Sequence, residues 1–168
     1  MYPYTVPQFI KMLENLSHCM EKAEKHAAAK KYDVNVLANA RLAPDQFDFT
    51  KQIQSACDAA KFCCARLTGK TAPKHEDNEQ SFDQLHQRIQ KCVGYLKTFK
   101  PEDFQDSQKR PVTLPYMEGK TYAGEEYGIS MAIPNFYFHV TTAYAILRHN
   151  GVDVGKMDYI GELKSIER

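Results

Sequence analysis

The sequence lacks an excess of charge, because 22 Lys and Arg residues stand against 21 Asp and Glu residues and leave a formal net charge of +1. A chain without a basic excess has no field that would hold it on nucleic acid or on an anionic membrane. It also lacks a basic start followed by an apolar segment, and no run reaches the roughly 20 apolar residues of a membrane-spanning helix. We therefore expect a cytoplasmic protein whose partners include neither nucleic acid nor a membrane.

Several familiar catalytic motifs are missing as well. The sequence contains no GxSxG, no P-loop, no GxGxxG and no HExxH, so nothing in it points to a serine hydrolase, a nucleotide-binding protein or a zincin. It has no internal repeat or low-complexity linker, and 43% of its residues are hydrophobic, which is enough to fill one core. The sequence predicts a single domain that spans residues 1–168.

The cysteine count is odd, which argues against a set of disulfides. Each cysteine falls within an apolar helical stripe, where a reduced thiol packs as a small hydrophobic group. The five residues are Cys19, Cys57, Cys63, Cys64 and Cys92. We expect buried, reduced thiols, which fits the cytoplasm.

Apolar residues recur at three-and-four spacing in four segments, which predicts four amphipathic helices. The predicted helices cover residues 5–29, 48–69, 81–100 and 134–150. Pro134 suits the first position of the last helix, and Gly151 ends it. Between Lys109 and Ser130 the pattern indicates a small hairpin-like excursion, and the tail from Val152 onward is expected to be irregular.

Several blocks of the sequence resemble, in order, an uncharacterised family within the DinB/YfiT-like helical-bundle superfamily. The blocks are RLAPD at 41–45, QSACDAAK at 54–61, PNFYFH at 134–139, AILRHNG at 145–151 and GKMDYIG at 155–161. The resemblance implies an all-α fold, a DinB-like up-down-down-up four-helix bundle with the excursion before its last helix.

The resemblance also bears on metal binding, since members of the superfamily commonly hold a divalent metal through three histidines. One histidine lies on the second helix and two form an HxxxH pair on the fourth, where i and i+4 share a face. Here His139 takes the first position of that pair, Ala143 the second, and no histidine occurs in the stretch 54–58 of the second helix. We expect a degenerate metal site and no cofactor. Nickel or zinc held by His139, Asp58 and perhaps Cys57 is the alternative.

His139 is the main candidate for a functional site. It is either a half-buried histidine that closes a polar gap in the bundle, or a ligand-pocket residue paired with Asp58 across the core. Clefts between helices are where bundles bind ligands. The predicted pocket residues are Gln54, Asp58, Asn135, His139 and Thr142. The other histidines are expected at the surface or, for His149, at the end of the fourth helix.

Four aromatic residues crowd the fourth helix, and they cannot all face one core because Phe136, Tyr137 and Phe138 are consecutive. The fourth is Tyr144. An outward ring suggests a homodimer packed through helix faces, or cover by the excursion. The sequence therefore predicts a bundle that binds a small ligand or has no enzymatic role. The alternative is a divalent-metal-dependent transferase or hydrolase with a non-standard site around His139.

Overall fold

Long helices dominate the computed structural model, which describes residues 1–163. They are α1 (Val6–Lys30), α2 (Phe49–Thr68), α3 (Phe82–Leu96) and α5 (Ile133–His149). The shorter elements are strands β1 (Pro111–Leu114) and β2 (Lys120–Ala123) and helices α4 (Gly124–Tyr127) and α6 (Lys156–Ile160). Among the described residues, no helix is both long enough and apolar enough to cross a membrane.

Contacts between the long helices give their directions. Glu14 near the start of α1 reaches Lys97 just after α3 at 3.2 Å, so α1 and α3 are antiparallel. Phe49 and Phe82 stack at the starts of α2 and α3, which makes these two helices parallel.

Helices α2 and α5 are antiparallel, because the start of α2 meets the middle of α5 through a bond between Gln52 and His139. The end of α2 meets α4 through a bond between Arg66 and Tyr127. These contacts confirm the predicted all-α, up-down-down-up arrangement.

The ends of α2 and α3 follow from local chemistry that the sequence shows. Asp48 accepts a hydrogen bond from the Lys51 backbone N–H at 2.9 Å, and Ser81 accepts one from that of Gln84 at 3.3 Å. Each side chain satisfies a backbone donor that the first helical turn leaves free. Gly69 ends α2 with φ of +76°, a left-handed conformation that suits glycine.

The last long helix begins ten residues earlier than predicted. Helix α4 continues without a break through one π-helical turn, Gly128–Ala132, into α5. Proline has no N–H to donate four residues back, and a widened turn lets a helix pass through such a position. Pro134 therefore lies inside a helix that starts at Gly124.

The glycine at the start of this helix is needed for close packing. A Cβ atom at Gly124 would collide with the Ser107 carbonyl oxygen and lie 3.1 Å from the Leu67 side chain. A Cβ at Gly128 would meet the end of the flexible Met1 side chain, which can move aside. Gly124 thus lets α4 approach the end of α2, which builds one side of the cleft described below.

The predicted hairpin is present between α3 and α4. Strands β1 and β2 are antiparallel, with Val112 opposite Tyr122 and Leu114 opposite Lys120. Val112 and Leu114 are buried and anchor the hairpin to the bundle. The connection between the strands carries Tyr116, which projects over the end of α2.

The tail is more ordered than predicted, since residues 156–160 form the short helix α6. Asn15 on α1 donates to the Tyr159 carbonyl at 2.9 Å, and Lys22 forms an ion pair with Asp158 at 2.9 Å. These contacts hold α6 on α1. Residues 164–168 of the predicted tail lie outside the described residues.

All five cysteines are buried and free, as the sequence predicted. Burial raises the pKa of Cys19 to about 11, so its thiol is protonated at neutral pH. In the crowded aromatic group, Phe136 is buried and Phe138 is 55% exposed. The prediction that one ring faces outward is confirmed.

Candidate functional site

A cleft of about 340 Å³ runs between α2 and the continuous helix formed by α4 and α5. Its α2 wall is one helical stripe, since the residues recur at three-and-four spacing. Those residues are Lys51, Ser55, Asp58, Ala59, Phe62 and Arg66. The opposite wall consists of Tyr127, Met131, Ala132, Asn135 and His139, and Tyr116 from the hairpin covers one end.

His139 is buried at one end of this cleft and is bound to α2. Its Nδ1 lies 2.8 Å from Oε1 of Gln52, and the Gln52 amide Nε2 donates to the Phe47 carbonyl at 3.1 Å. Because this second bond fixes the orientation of the amide, the atom facing His139 is an oxygen, which only accepts. His139 therefore donates through Nδ1, and in the neutral ring Nε2 carries the lone pair.

Burial lowers the pKa of His139 below its ordinary value, so the ring is neutral at pH 7. Among residues 1–163, Nε2 has no hydrogen-bond partner. A neutral imidazole with a free lone pair accepts a hydrogen bond from a ligand hydroxyl or amine, or acts as a base.

Asp58 also lines the cleft, but it is not the partner of His139. Its Oδ1 lies 2.7 Å from Nη2 of Arg88 on α3 and 2.8 Å from Nζ of Lys61. The predicted pairing of His139 with Asp58 across the core is therefore wrong. The carboxylate turns toward two buried cations, and among the described residues it is the one carboxylate that pairs with Lys61.

Those cations belong to a group of ion pairs that we call the Arg88 cluster, which consists of Arg88, Lys61, Asp58, Asp77 and Glu79. The Arg88 side chain is 1% exposed and also contacts Asp77 at 2.8 Å and Glu79 at 3.1 Å. Burial opposes ionisation of both carboxyls, but their bonds to Arg88 and other neighbours outweigh it and lower the pKa of each. The cluster ties the segment before α3 to α2 and α3.

His75 lies beside this cluster, although it was expected at the surface. Its side chain is 11% exposed, and its Nδ1 lies 3.2 Å from Nζ of Lys61. Burial, followed by the nearby Arg88 and Lys61 cations, lowers the pKa of His75. His75 is therefore a neutral acceptor for the buried lysine.

The other end of the cleft is aromatic and holds Arg66. Its guanidinium lies 5.1 Å from the centre of the Phe62 ring, 5.7 Å from that of Tyr116 and 5.6 Å from that of Tyr127. The Tyr116 hydroxyl is 3.8 Å from Sδ of Met131 and so bridges the two walls. Cation–π contacts of this kind hold a guanidinium in place without neutralising it.

Two of the predicted pocket residues do not line the cleft. Gln54 points to the other side of α2 and donates to Glu79 at 2.8 Å, and Thr142 is buried and donates to the Phe138 carbonyl at 2.8 Å. Asp58, Asn135 and His139 are brought together as predicted.

The sequence reasoning missed the rest of the lining, above all Arg66 and Tyr127. The spacing of Tyr127, Met131 and Asn135, four residues apart on one helical face, could have revealed them.

The metal-donor candidates His139, Asp58 and Cys57 do not fit a site of three protein donors. His139 offers one ring nitrogen, Nε2, because Gln52 takes the other, and Asp58 is engaged by two cations. Cys57 is fully buried, and a hydrogen bond with Cys92 followed by burial holds the pKa of its thiol well above the ordinary value. Within residues 1–163, no three His, Cys, Asp or Glu side chains are grouped to hold a metal ion.

The chain is similar to known proteins in both sequence and structure. Residues 1–160 match the model of a family described as a domain of unknown function, DUF1993. A crystal structure of a DinB family member protein from Shewanella denitrificans is 50% identical in sequence and superimposes with a TM-score of 0.96. The match covers 99% of this chain and 95% of that one. No curated protein shows a significant match.

Proposed function

The chain belongs to the DUF1993 family of DinB-like proteins, and from this we propose that it binds a small molecule in the cleft between α2 and α5. Its volume of about 340 Å³ is that of a small-ligand site. Ligand sites in bundles lie between facing helices and combine apolar walls with a few polar groups. This cleft has both.

One observation carries the proposal: the cleft contains polar groups that the protein holds in place but leaves unsatisfied. Gln52 fixes the orientation of His139 and leaves its Nε2 without a protein partner within residues 1–163. Among the described residues, Nε2 is not one of the fully buried side-chain atoms that lack a partner, so it reaches the open cleft, where a ligand can meet it. A ligand that donates to Nε2 would complete the site.

We further propose that this binding does not use the three-histidine metal site of the superfamily. The support is the donor set, since Ala143 stands at the second position of the HxxxH pair and no histidine occurs in the stretch 54–58 of α2. Elemental analysis of the purified protein is expected to give far less than one nickel or zinc per chain. A metal-to-protein ratio near one would contradict this.

The alternative, a divalent-metal-dependent transferase or hydrolase around His139, makes a different prediction. It requires Nε2 of His139 to bind the ion. Calorimetric titration with nickel or zinc would then show micromolar binding that His139→Ala abolishes. Absence of such binding in the wild-type protein would favour the small-ligand proposal.

The ligand-binding proposal is tested by blocking the cleft. Ser55 is half-buried in the α2 wall, and Ser55→Trp would fill the space between the helices. A set of neutral, cationic and anionic fragments is screened by ligand-observed NMR against the wild-type protein and this variant. Gln87→Trp, at an exposed position of α3, is the control.

We expect fragments that bind the wild-type protein and Gln87→Trp but not Ser55→Trp. If no fragment of any charge binds the wild-type protein, or if Ser55→Trp binds the same fragments equally well, the cleft is not a ligand site.

A further inference from the structure

The cleft holds two cations, and only one has a carboxylate partner among residues 1–163. Lys51 forms an ion pair with Asp77 at 3.1 Å. Arg66 is half-buried, yet no Asp or Glu of the described chain lies within ion-pairing distance. Partly buried cations are normally paired, so an unpaired arginine in a cleft leaves room for an anion.

Hydrogen bonds at Arg66 point the same way. Within residues 1–163, Nη1 donates to the Tyr127 hydroxyl at 3.0 Å, and a bond with the Tyr116 hydroxyl also raises the pKa of Arg66. A guanidinium has five N–H donors in a planar fork, so several remain for a ligand. Tyr127 is 4% exposed, and burial raises its pKa to about 12, so it stays a phenol at neutral pH. Because the Tyr127 oxygen accepts from Arg66, its O–H remains free to donate.

The donors therefore converge on one place. Free guanidinium N–H groups and the phenol O–H would meet the two oxygens of a carboxylate, the group that the arginine fork matches best. The rings of Phe62 and Tyr116 lie 5.1 and 5.7 Å from the guanidinium and offer apolar surface to the rest of a ligand.

We propose that the Arg66 end of the cleft binds the carboxylate of a small organic acid whose apolar body packs against Phe62 and Tyr116. The inference rests on the proposed ligand-binding function and names the class of ligand. A phosphate monoester fits less well, since it carries about −1.5 to −2 charges. Just one unpaired cation faces it from the described residues of the cleft.

This anion site is separate from His139. Gln52, which contacts His139, and Arg66 are fourteen positions apart on α2, and at 1.5 Å per residue this is roughly 21 Å. A small acid at Arg66 does not need to touch His139. The two ends can therefore be tested independently.

The competing explanation is structural: Arg66 serves only to clamp the hairpin onto α2 through Tyr116. Such a clamp needs no anion and would not distinguish a carboxylate from its uncharged analogue.

The test compares benzoate with benzamide, which has nearly the same shape but no charge, and with inorganic phosphate. Binding is followed by backbone amide NMR shifts of residues 62, 66 and 127. Benzoate should bind weakly, with an affinity of roughly millimolar for so small a probe. Benzamide should bind with an affinity about tenfold lower than that of benzoate, or lower still. A charge-assisted hydrogen bond contributes a difference in affinity of that size.

Variants assign the effect to the proposed donors. Arg66→Gln should abolish the preference for benzoate, Arg66→Lys should keep part of it because the charge remains without the fork, and Tyr127→Phe should weaken binding severalfold. Arg148→Gln, which alters an exposed arginine on α5, is the control and should bind as the wild-type protein does. The comparison of probes on the wild-type protein stands even if a variant fails to fold.

Equal binding of benzoate and benzamide, unchanged binding in Arg66→Gln, or a preference for phosphate would overturn the proposal. If benzoate fails but neutral fragments shift residues 55, 135 and 139, the anion site is wrong and the ligand-binding function stands. If no probe or fragment binds anywhere in the cleft, both are wrong.

Discussion

The two flanks of α2 differ in whether their charged and polar side chains have partners within the protein. Toward α3, Arg88 and Lys61 each have a carboxylate within 2.8 Å, and all three acidic residues of the Arg88 cluster contact Arg88 within 3.1 Å. Toward α4 and α5, Arg66 and His139 keep groups that have no partner in the described chain. We call the flank toward α3 the saturated flank because its charges are paired, although Nε of Arg88 is buried without a hydrogen-bond partner among the described residues. The flank toward α4 and α5, the unsaturated flank, is the one for which we propose a ligand.

The largest loss of stability is expected from a substitution that removes a charge from the saturated flank. Arg88→Met removes the charge that the three carboxylates share, and breaking a buried ion pair typically destabilises by about 3–5 kcal/mol. We expect the lower end, about 3 kcal/mol, because Asp58 and Asp77 are 31% and 32% exposed and water can reach them. Urea unfolding measures the loss.

The matched control for that variant is Arg148→Met, whose arginine is 59% exposed and lies 3.7 Å from Asp153. Exposed pairs contribute about 0–1 kcal/mol, so this variant should unfold almost as the wild-type protein does. A similar loss in both variants would show that the Arg88 cluster has no special role in stability.

A smaller loss of stability is expected when His139, on the unsaturated flank, loses its hydrogen bond to Gln52. Gln52→Leu leaves the His139 Nδ1–H without its acceptor, which should destabilise by about 1–3 kcal/mol. The double variant Gln52→Leu/His139→Phe replaces both partners by apolar groups and should regain part of that loss. Double-mutant analysis of urea unfolding, with His139→Phe as the second single variant, measures the coupling, and strictly additive losses would contradict the hydrogen bond between Gln52 and His139.

The pH dependence of the free energy of unfolding gives a second test of the unsaturated flank. Burial lowers the pKa of His139 in the folded protein below its ordinary value of 6.5, so near pH 6 the unfolded chain binds more protons at this residue than the folded chain does. The contribution of neutral His139 to the free energy of unfolding is fully present above pH 6.5. It is lost as the pH falls toward the pKa of His139 in the folded protein. In His139→Gln the stability should depend less steeply on pH in this window.

His75 remains in both proteins and supplies the same kind of dependence, since its pKa is also lowered. The difference between the two proteins therefore belongs to His139. Urea midpoints measured at a series of pH values across this range would give the two slopes, and identical slopes would mean that His139 is protonated equally in both states.

The smallest effect concerns the surface of α5. We propose that the outward ring of Phe138, 55% exposed, packs in a homodimer. Phe138→Ser should change the free energy of unfolding of one chain by less than about 0.5 kcal/mol, but it should shift the molar mass measured by light scattering from that of a dimer to that of a monomer. A monomeric wild-type protein would contradict the proposal.

Local signals predicted much of the fold. Asp48, Ser81 and Gly69 mark helix ends through bonds or conformations that depend only on nearby residues, and they were placed correctly. Pro134 misled the prediction, because a proline that follows a widened turn can lie inside a helix. The true start at Gly124 depends on a distant partner, since the glycine accommodates Ser107.

The candidate site was predicted only in part, for a related reason. His139 stood out because a histidine in an apolar stripe is unusual, Asn135 followed from helical spacing, and Asp58 followed from the family resemblance at residues 54–58. Arg66 and Arg88 did not stand out, since a charged residue on a helix normally faces solvent. Only the folded arrangement shows which of them meets carboxylates and which does not.

The cover over the Arg66 end comes from the connection between two short strands, and this origin has a practical consequence. Tyr116 lies outside the four long helices, and its hairpin is anchored by Val112 and Leu114. Residues at the hairpin tip can therefore be exchanged, lengthened or shortened while the bundle keeps its core. Substitutions at the hairpin tip can change which ligands the cleft accepts and leave the packing of the four long helices unchanged.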